Sequence, residues 1–455
     1  MASTDLFDVV VVGGGPIGLA TAYEVAKAGS KAVVLEQNNF FNQSGSSGDL
    51  ARMFRTMYTE DFMADLAKEA MDLWDDLEKD AGTALRWMSG LLNFGDKDLG
   101  EHTPEGTLLG PIPNLQRLNM TYQELTAKEI EERYPFKNLN SEWLGLFAPD
   151  NGVINVQLLL RTLLSLAKAY GAEARQHTRV EAIHLSQDDK SIWEVHTKHH
   201  ETESIVYRTK KIVIASGAFA NHVLKPSFGI SLDLDIWEMV ACYFNCNAGP
   251  GGTIFPSYVH PRRHVVPVRA RQGRPVPALL RVSHAALGPP NLARIAVDAA
   301  TRRIKDPSER LTNVLNPEDI KNVQDFVRDH VAGLDSTVPA YTTSCLQTNV
   351  FDNMFVLDFV PEKYLHGGPK DSVVVFTAGW AMKFVPMLGK ALAELALTGK
   401  SKYALEEFAI TRKDPITGKG IIVDGEARHS ENVSSFAFKQ QGSGSSIRGL
   451  HNTGS

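Results

Sequence analysis

The hydrophobic pattern near the start of the chain does not alternate: Val9, Val10, Val11 and Val12 stand in a row. Four β-branched residues together read as a strand covered on both faces, the habit of a parallel sheet. A helical stripe follows in LATAYEVAKAG, which Gly29 ends, and KAVVLEQ then reads as a second strand. Residues 38–58, NNFFNQSGSSGDLARMFRTMY, are rich in small and polar side chains and read as a loop. Helical spacing returns in EDFMADLAKEAMDLWDDLEKDAG, and again after Asn155, a natural N-cap, in VQLLLRTLLSLAKAYG. Residues 90–150 between them are mixed. ARQHTRVEAIHL, IWEVHT and IVYRT read as strands, and KKIVIASGAFA as a further strand entering a small-residue turn at Ser216 and Gly217. Towards the end, SVVVFTAGWAMKF is a strand entering a glycine turn, and MLGKALAELALTGK is a helix closed by Gly399.

Strands thus run into glycine turns near Gly13, Gly217 and Gly379. The first turn is chemically the most specific, because Gly13, Gly15 and Gly18 fall on a GxGxxG spacing where a helix starts. One glycine permits the tight turn, another lets backbone N–H groups approach a pyrophosphate, and the last lets helix and strand pack closely. The helix N-terminus favours the negative charge. Glu36, ending the second strand, stands where an acid can accept bonds from the ribose hydroxyls of an adenosine. A bare structural turn is the alternative, but this context favours a dinucleotide. Turns spread over nearly the whole chain suit FAD better than NAD, since a long buried flavin is lined from distant segments while an NAD domain is one βαβ block.

At 455 residues the chain exceeds one typical domain, so two domains, or one with an insertion, are expected. Residues 224–339 change character, with basic loops, prolines and scattered strands, and read as the second domain. The composition, 43% hydrophobic and 22% charged, is that of a soluble globular protein. Its net charge, 47 minus 53 or −6, gives no pull toward nucleic acid or anionic membrane. The basic stretch of residues 260–274 reads as a solvated loop. No apolar run approaches the ~20 residues of a membrane span, and the first strand begins too early for a signal peptide, so a cytoplasmic protein is expected. Cys242, Cys246 and Cys345 fit that compartment, are not spaced as a CxxC pair, and read by residue type as small buried groups. The histidines show no metal-ligand spacing, His199 and His200 read as a solvated turn, and no metal is expected. Trp237, Tyr243, Phe244 and Trp380 can wall a pocket, with core packing the stronger reading for all but Trp380. The Gly/Ser-rich tail reads as a flexible end that would mask a native peroxisomal signal.

The segments GGGPIGLATAYEVAKAG, SGSSGDLARMFR, HTRVEAI, IVIASGAF, SCLQTNVFDNMFVLDFVPE and AGWAMKFVPMLGKALAELALTGK resemble the flavin amine oxidases. That family includes sarcosine oxidase, pipecolate oxidase and the fungal fructosyl-amino-acid oxidases (amadoriases). DLARMFR and KFVPMLGK are most similar to the amadoriase branch, and the likeness is faint over residues 224–339. The resemblance implies an α/β fold: an FAD-binding Rossmann-like domain of the glutathione-reductase/D-amino-acid-oxidase type, with a second α+β substrate domain on a mixed or antiparallel sheet. It divides the chain into a discontinuous FAD-binding domain (1–90, 151–223 and 340–425), a substrate domain (91–150 and 224–339) and a tail (426–455).

As FAD-binding residues the resemblance implies Gly13, Gly15, Pro16, Ile17, Gly18, Glu36, Gln37, Ser46, Ser47, Arg52, Val180, Ser216, Gly217, Gly379, Met382 and Lys383. Cys345 matches the cysteine that carries the flavin through a thioether, which requires a thiolate in an electropositive setting. Arg55 and Lys383 match the pair that grips a substrate carboxylate, one a planar two-pronged donor and the other a point charge. Arg52 matches a basic residue that stabilises the reduced ring. Arg294 is the nearest counterpart of a lysine that promotes reaction with oxygen. AGWAMKF is shorter than the family's loop and lacks its histidine, and Gln347 stands where sarcosine oxidase has an aromatic residue. The implied activity is oxidation of a secondary amine, or an N-substituted or cyclic amino acid, by hydride transfer to flavin N5, giving an imine while O2 becomes H2O2. A monomer with no nucleic-acid or membrane partner is implied. A dehydrogenase of the same fold, a natural-product tailoring oxidase and a catalytically impaired flavin-binding protein remain as alternatives.

Overall fold

The computed structural model describes residues 2–97, 107–246, 268–271, 277–282, 292–297, 302–310 and 315–424. The tail, 426–455, and most of the basic stretch 260–274 lie outside the described residues. Part of that stretch, Val268–Arg271, is a strand and not the expected loop.

The opening strand, Ala2–Val12, lies inside an eight-stranded sheet, paired in parallel with Ala32–Leu35 on one side and Glu203–Ile214 on the other. Its unbroken apolar run has a simple cause. Val9 and Val11 pack into a helical core with Leu19, Val25, Leu159 and Leu388, while Val10 and Val12 pack on the opposite face with Val223, Leu224 and Phe228. Each face of residues 9–12 has its own core, so every position of that run is apolar. Glu203–Ile214 is continuous because residues 203–209 pair with Trp193–His199 and residues 212–214 with Val373–Thr377. The two sequence pieces IVYRT and KKIVIAS are therefore one strand.

The helix Pro16–Lys27 packs against Val156–Ala169 and Val385–Thr398. Close approach rests on small residues: a Cβ on Gly389 would lie 2.5 Å from the Ala20 Cβ. Val156–Ala169 begins where Asn155 accepts the Leu158 N–H, and Val385–Thr398 ends at Gly399 with φ of +78°.

The second sheet has nine strands and is mixed, since Leu91–Gly95 pairs in parallel with Val268–Arg271 while Asp235–Asn245 has antiparallel neighbours. Leu92, Phe94, Val240, Phe244 and Ile295 belong to its separate core. Leu224, Phe228, Ile230 and Leu232 pack with the first sheet, whereas Tyr341–Asn349, which carries Cys345, pairs along its length with Asp235–Asn245. The two sheets thus exchange partners across the expected breaks at 223/224 and 339/340. Residues 38–58 are not all loop: Ala51–Phe54 is a strand on Gly152–Asn155, which also takes Arg86–Trp87. Among the described residues no helix is long and apolar enough to cross a membrane.

Candidate active site

A cavity of about 680 Å³ opens at the C-terminal ends of the parallel strands, where Val12, Leu35, Ala215 and Thr377 reach its wall. Open α/β sheets bind ligands at this edge. The glycine turn closes one side. Gly13 has φ of +108°, and a Cβ there would lie 2.6 Å from the Ala215 carbonyl oxygen. Gly18 does not line the cavity: a Cβ on it would lie 1.9 Å from the Gly13 oxygen, so its place is helix–strand packing. At Gly15 a Cβ would meet no protein atom within 4 Å. Gly15 lines the cavity and is the N-cap of Pro16–Lys27 without a side-chain cap bond, which leaves first-turn N–H groups for an anion.

Glu36 accepts the backbone N–H groups of Gly14 and Asn38, each at 2.8 Å, and burial raises its pKa. Pro16, Ile17, Gln37, Ser46, Ser47, Val180, Ser216, Gly217, Gly379 and Met382 line the same cavity. The hydroxyls of Ser216 and Thr348, two other lining residues, are buried without a hydrogen-bond partner. Buried polar atoms are rarely left so unless a ligand or water completes them. Ala378 and Gly379 have successive left-handed φ values, +65° and +71°, the first a strained one for a residue with a Cβ.

Another part of the lining, Arg52 and Arg294, is held by Asp49, a residue that no local pattern in the sequence marks. Its buried carboxylate takes Arg294 Nε at 2.9 Å and Nη2 at 2.7 Å on Oδ2, together with Arg52 Nη1. Tyr243 Oη and the Leu50 N–H donate to Oδ1. Burial alone would raise the Asp49 pKa, but Arg294 and Arg52 override it and hold the carboxyl below the usual range. Strand register explains the meeting: Tyr243 and Arg294 are directly opposite in an antiparallel pair and so share one face of the sheet.

Cys345 lines the cavity beside this cluster, and Arg52, Arg294 and Arg310 all interact electrostatically with its thiol. Arg310 donates to the Gly45 oxygen at 3.2 Å and to the Ser344 oxygen, joining the Ser46 loop to the Cys345 strand. Burial pushes the Cys242 thiol up to about 12.

Lys383 is only 5% exposed and lines the cavity. Its Nζ donates to the Trp380 oxygen at 3.3 Å and lies 5.9 Å from the Tyr58 ring centroid. Arg55, by contrast, is 2% exposed and is not among the lining residues. Its guanidinium sits 4.8 Å from the centroid of the same Tyr58 ring. The pair therefore meets at an aromatic ring and does not form two prongs open to the cavity. Burial raises the pKa of Tyr58 and of the neighbouring Glu60. Gln347 donates to the Gly379 oxygen at 3.0 Å and ties the Cys345 strand to the last glycine turn. Trp380 lines the cavity; Trp237, Tyr243 and Phe244 do not. Among the described residues no cluster of three His, Cys, Asp or Glu side chains is placed to hold a metal ion.

Known proteins give this geometry a context. A family model described as FAD dependent oxidoreductase matches residues 8–395. Peroxisomal sarcosine oxidase of Homo sapiens is 30% identical over 423 residues, covering 90% of this chain and 97% of that protein. A Dictyostelium discoideum protein, provisionally named a bifunctional amine oxidase, is 47% identical over 95% of this chain, which spans 39% of that relative's length. Among solved structures, NikD, an unusual amino acid oxidase essential for nikkomycin biosynthesis, superposes with a TM-score of 0.76 at 30% identity, over 89% of this chain and 98% of that one. The residues here fit FAD: an open backbone face at Gly15, two hydroxyls awaiting partners and a buried acid beside the turn are what a long dinucleotide requires. The match runs from the opening strand into the helix behind Lys383, and on that extent this chain belongs to the FAD-dependent oxidoreductase family.

Proposed function

We propose that the chain oxidises a secondary amine, as an N-substituted or cyclic amino acid, to the imine while O2 is reduced to H2O2. The observation that carries this reading is one cavity lined both by a pyrophosphate-type glycine turn and by Lys383, Arg52 and Arg294. FAD, when bound, supplies the two-electron acceptor between amine and oxygen.

The backbone of Gly13 to Gly15 and the N-terminus of Pro16–Lys27 would hold the pyrophosphate, and Glu36 the ribose hydroxyls. Ser216 and Thr348 would gain the partners their hydroxyls lack. Lys383 would bind the substrate carboxylate as a point charge from the wall, with Arg55 adding positive potential from its place against the Tyr58 ring. The same cationic surroundings lower the pKa of the substrate amine and favour its neutral, oxidisable form. Arg52 would stabilise negative charge gained on reduction, and Arg294 the charge that develops on oxygen. A guanidinium keeps its proton, so Arg294 acts by charge alone. Cys345, set among guanidinium groups, would carry FAD through a thioether.

A panel of N-methyl, N-fructosyl and cyclic amino acids under air, read by peroxide release, tests the activity. Peroxide with one of them supports the reading; dye reduction without peroxide assigns a dehydrogenase; a flavin that no amine bleaches anaerobically overturns it. Cys345→Ala should release FAD on acid precipitation while the wild type retains it. Release from the wild type as well would overturn the thioether.

A further inference from the structure

We infer that Asp49 is a positioning residue for the oxidation: a buried counter-ion that holds Arg52 and Arg294 against the cavity wall and cancels one of their two charges. The inference rests on the reading of this cavity as an FAD site.

Asp49 does not itself line the cavity, whereas both arginines do. Its side chain is 0% exposed, against 17% for Arg52 and 9% for Arg294, so this ion cluster is poorly screened by water. Two guanidinium groups on one carboxylate leave a single net positive charge. Without the carboxylate, two like charges would face each other inside the protein. The hub is held independently of either cation, because Tyr243 and the Leu50 N–H bond its other oxygen. Arg52 is fixed in turn by the Ser46 oxygen at 2.9 Å, and Arg294 by its strand.

The consequence is electrostatic. Positive charge beside a reducible ring favours the form that has gained electrons. A doubly positive wall would make the cofactor easier to reduce by the amine and harder to reoxidise by oxygen. One shared carboxylate sets the balance between the half-reactions and touches neither substrate nor cofactor.

The test is a spectroelectrochemical titration of the two-electron midpoint potential of the FAD-loaded protein. Asp49→Asn is expected to shift the reduction equilibrium about tenfold towards the reduced form, which for a two-electron couple is about 30 mV upward. Arg294→Met, which removes the remaining net charge, is expected to shift it about tenfold the other way. The double variant Asp49→Asn with Arg294→Met, with one net charge again, should return to within about twofold of the wild type. It also serves where Asp49→Asn alone does not fold, since removing both partners of a buried pair is better tolerated than removing one. An Asp49→Asn potential equal to or below the wild type, or a double variant that stays at the Arg294→Met value, overturns the inference. A wild type that binds no FAD overturns the cofactor reading instead.

Discussion

The two walls of the cavity are made of different material. At the glycine turn the wall is backbone, contributed by short contiguous segments around Gly13, Glu36 and Ser216 at the ends of adjacent parallel strands. Elsewhere the wall is side chain: Arg52, Arg294 and Cys345 line it, and the two arginines are held by Asp49, which Tyr243 bonds in turn; these residues come from segments up to about three hundred residues apart and meet through sheet register. A backbone wall cannot tolerate added atoms. A wall of buried ions cannot tolerate an unbalanced charge. The first kind of site is written locally, and the second exists only after the fold has formed.

Mutations should separate the two kinds. The largest effect is expected at Gly18→Ala, because its Cβ would lie 1.9 Å from the Gly13 backbone oxygen, so the turn itself would have to shift. A loss above about 4 kcal/mol, together with loss of FAD, is expected by denaturant unfolding; a shift below about 1 kcal/mol would show that the turn can yield. Asp49→Ala comes next, at about 3–5 kcal/mol, the cost of leaving buried charge without its partner. Its pH dependence carries a sign. Asp49 has a lowered pKa in the folded state, so it contributes stability above the unfolded value of about 3.9 and loses it as pH falls through the folded value. The gap between wild type and variant should therefore be full at neutral pH and shrink below about pH 4. An unchanged gap at acid pH would contradict the charge assignment.

Lys383→Met should weaken a carboxylate inhibitor by about 2–5 kcal/mol, read as an inhibition constant. A constant equal to the wild type would remove Lys383 from substrate binding. The smallest effect belongs to the backbone wall: Ser216→Ala should leave the apoprotein's stability unchanged, because the hydroxyl has no partner there. It should weaken FAD binding by about 0.5–1.5 kcal/mol in a titration. An equal loss in apoprotein stability would mean that the hydroxyl serves the fold.

Legibility in the sequence followed the same division. The GxGxxG turn, the acid at Glu36, the Asn155 cap and the helix closed by Gly399 depend on neighbours within a few residues, and spacing alone exposes them. Cys345 and Lys383 stand out only through the family resemblance, and both line the cavity. The strand Ala51–Phe54 looks like loop in the sequence because four residues hold too little alternation to register. Asp49 precedes Arg52 by three residues, a spacing common at exposed surfaces. What makes it a hub is Tyr243 and Arg294 arriving on one face of a sheet assembled from residues some two hundred positions away. The family resemblance puts Arg55 at the cavity, whereas its position against the Tyr58 ring depends on packing that no local pattern encodes.

Every role proposed above requires that the cavity at the ends of the parallel strands hold a flavin. The most direct test is the absorption spectrum of the purified protein after mixing with FAD and gel filtration. Flavin bands should co-elute with the protein in equimolar amount and fade on anaerobic addition of an amine substrate. Colourless protein that takes up no FAD would contradict the flavin reading.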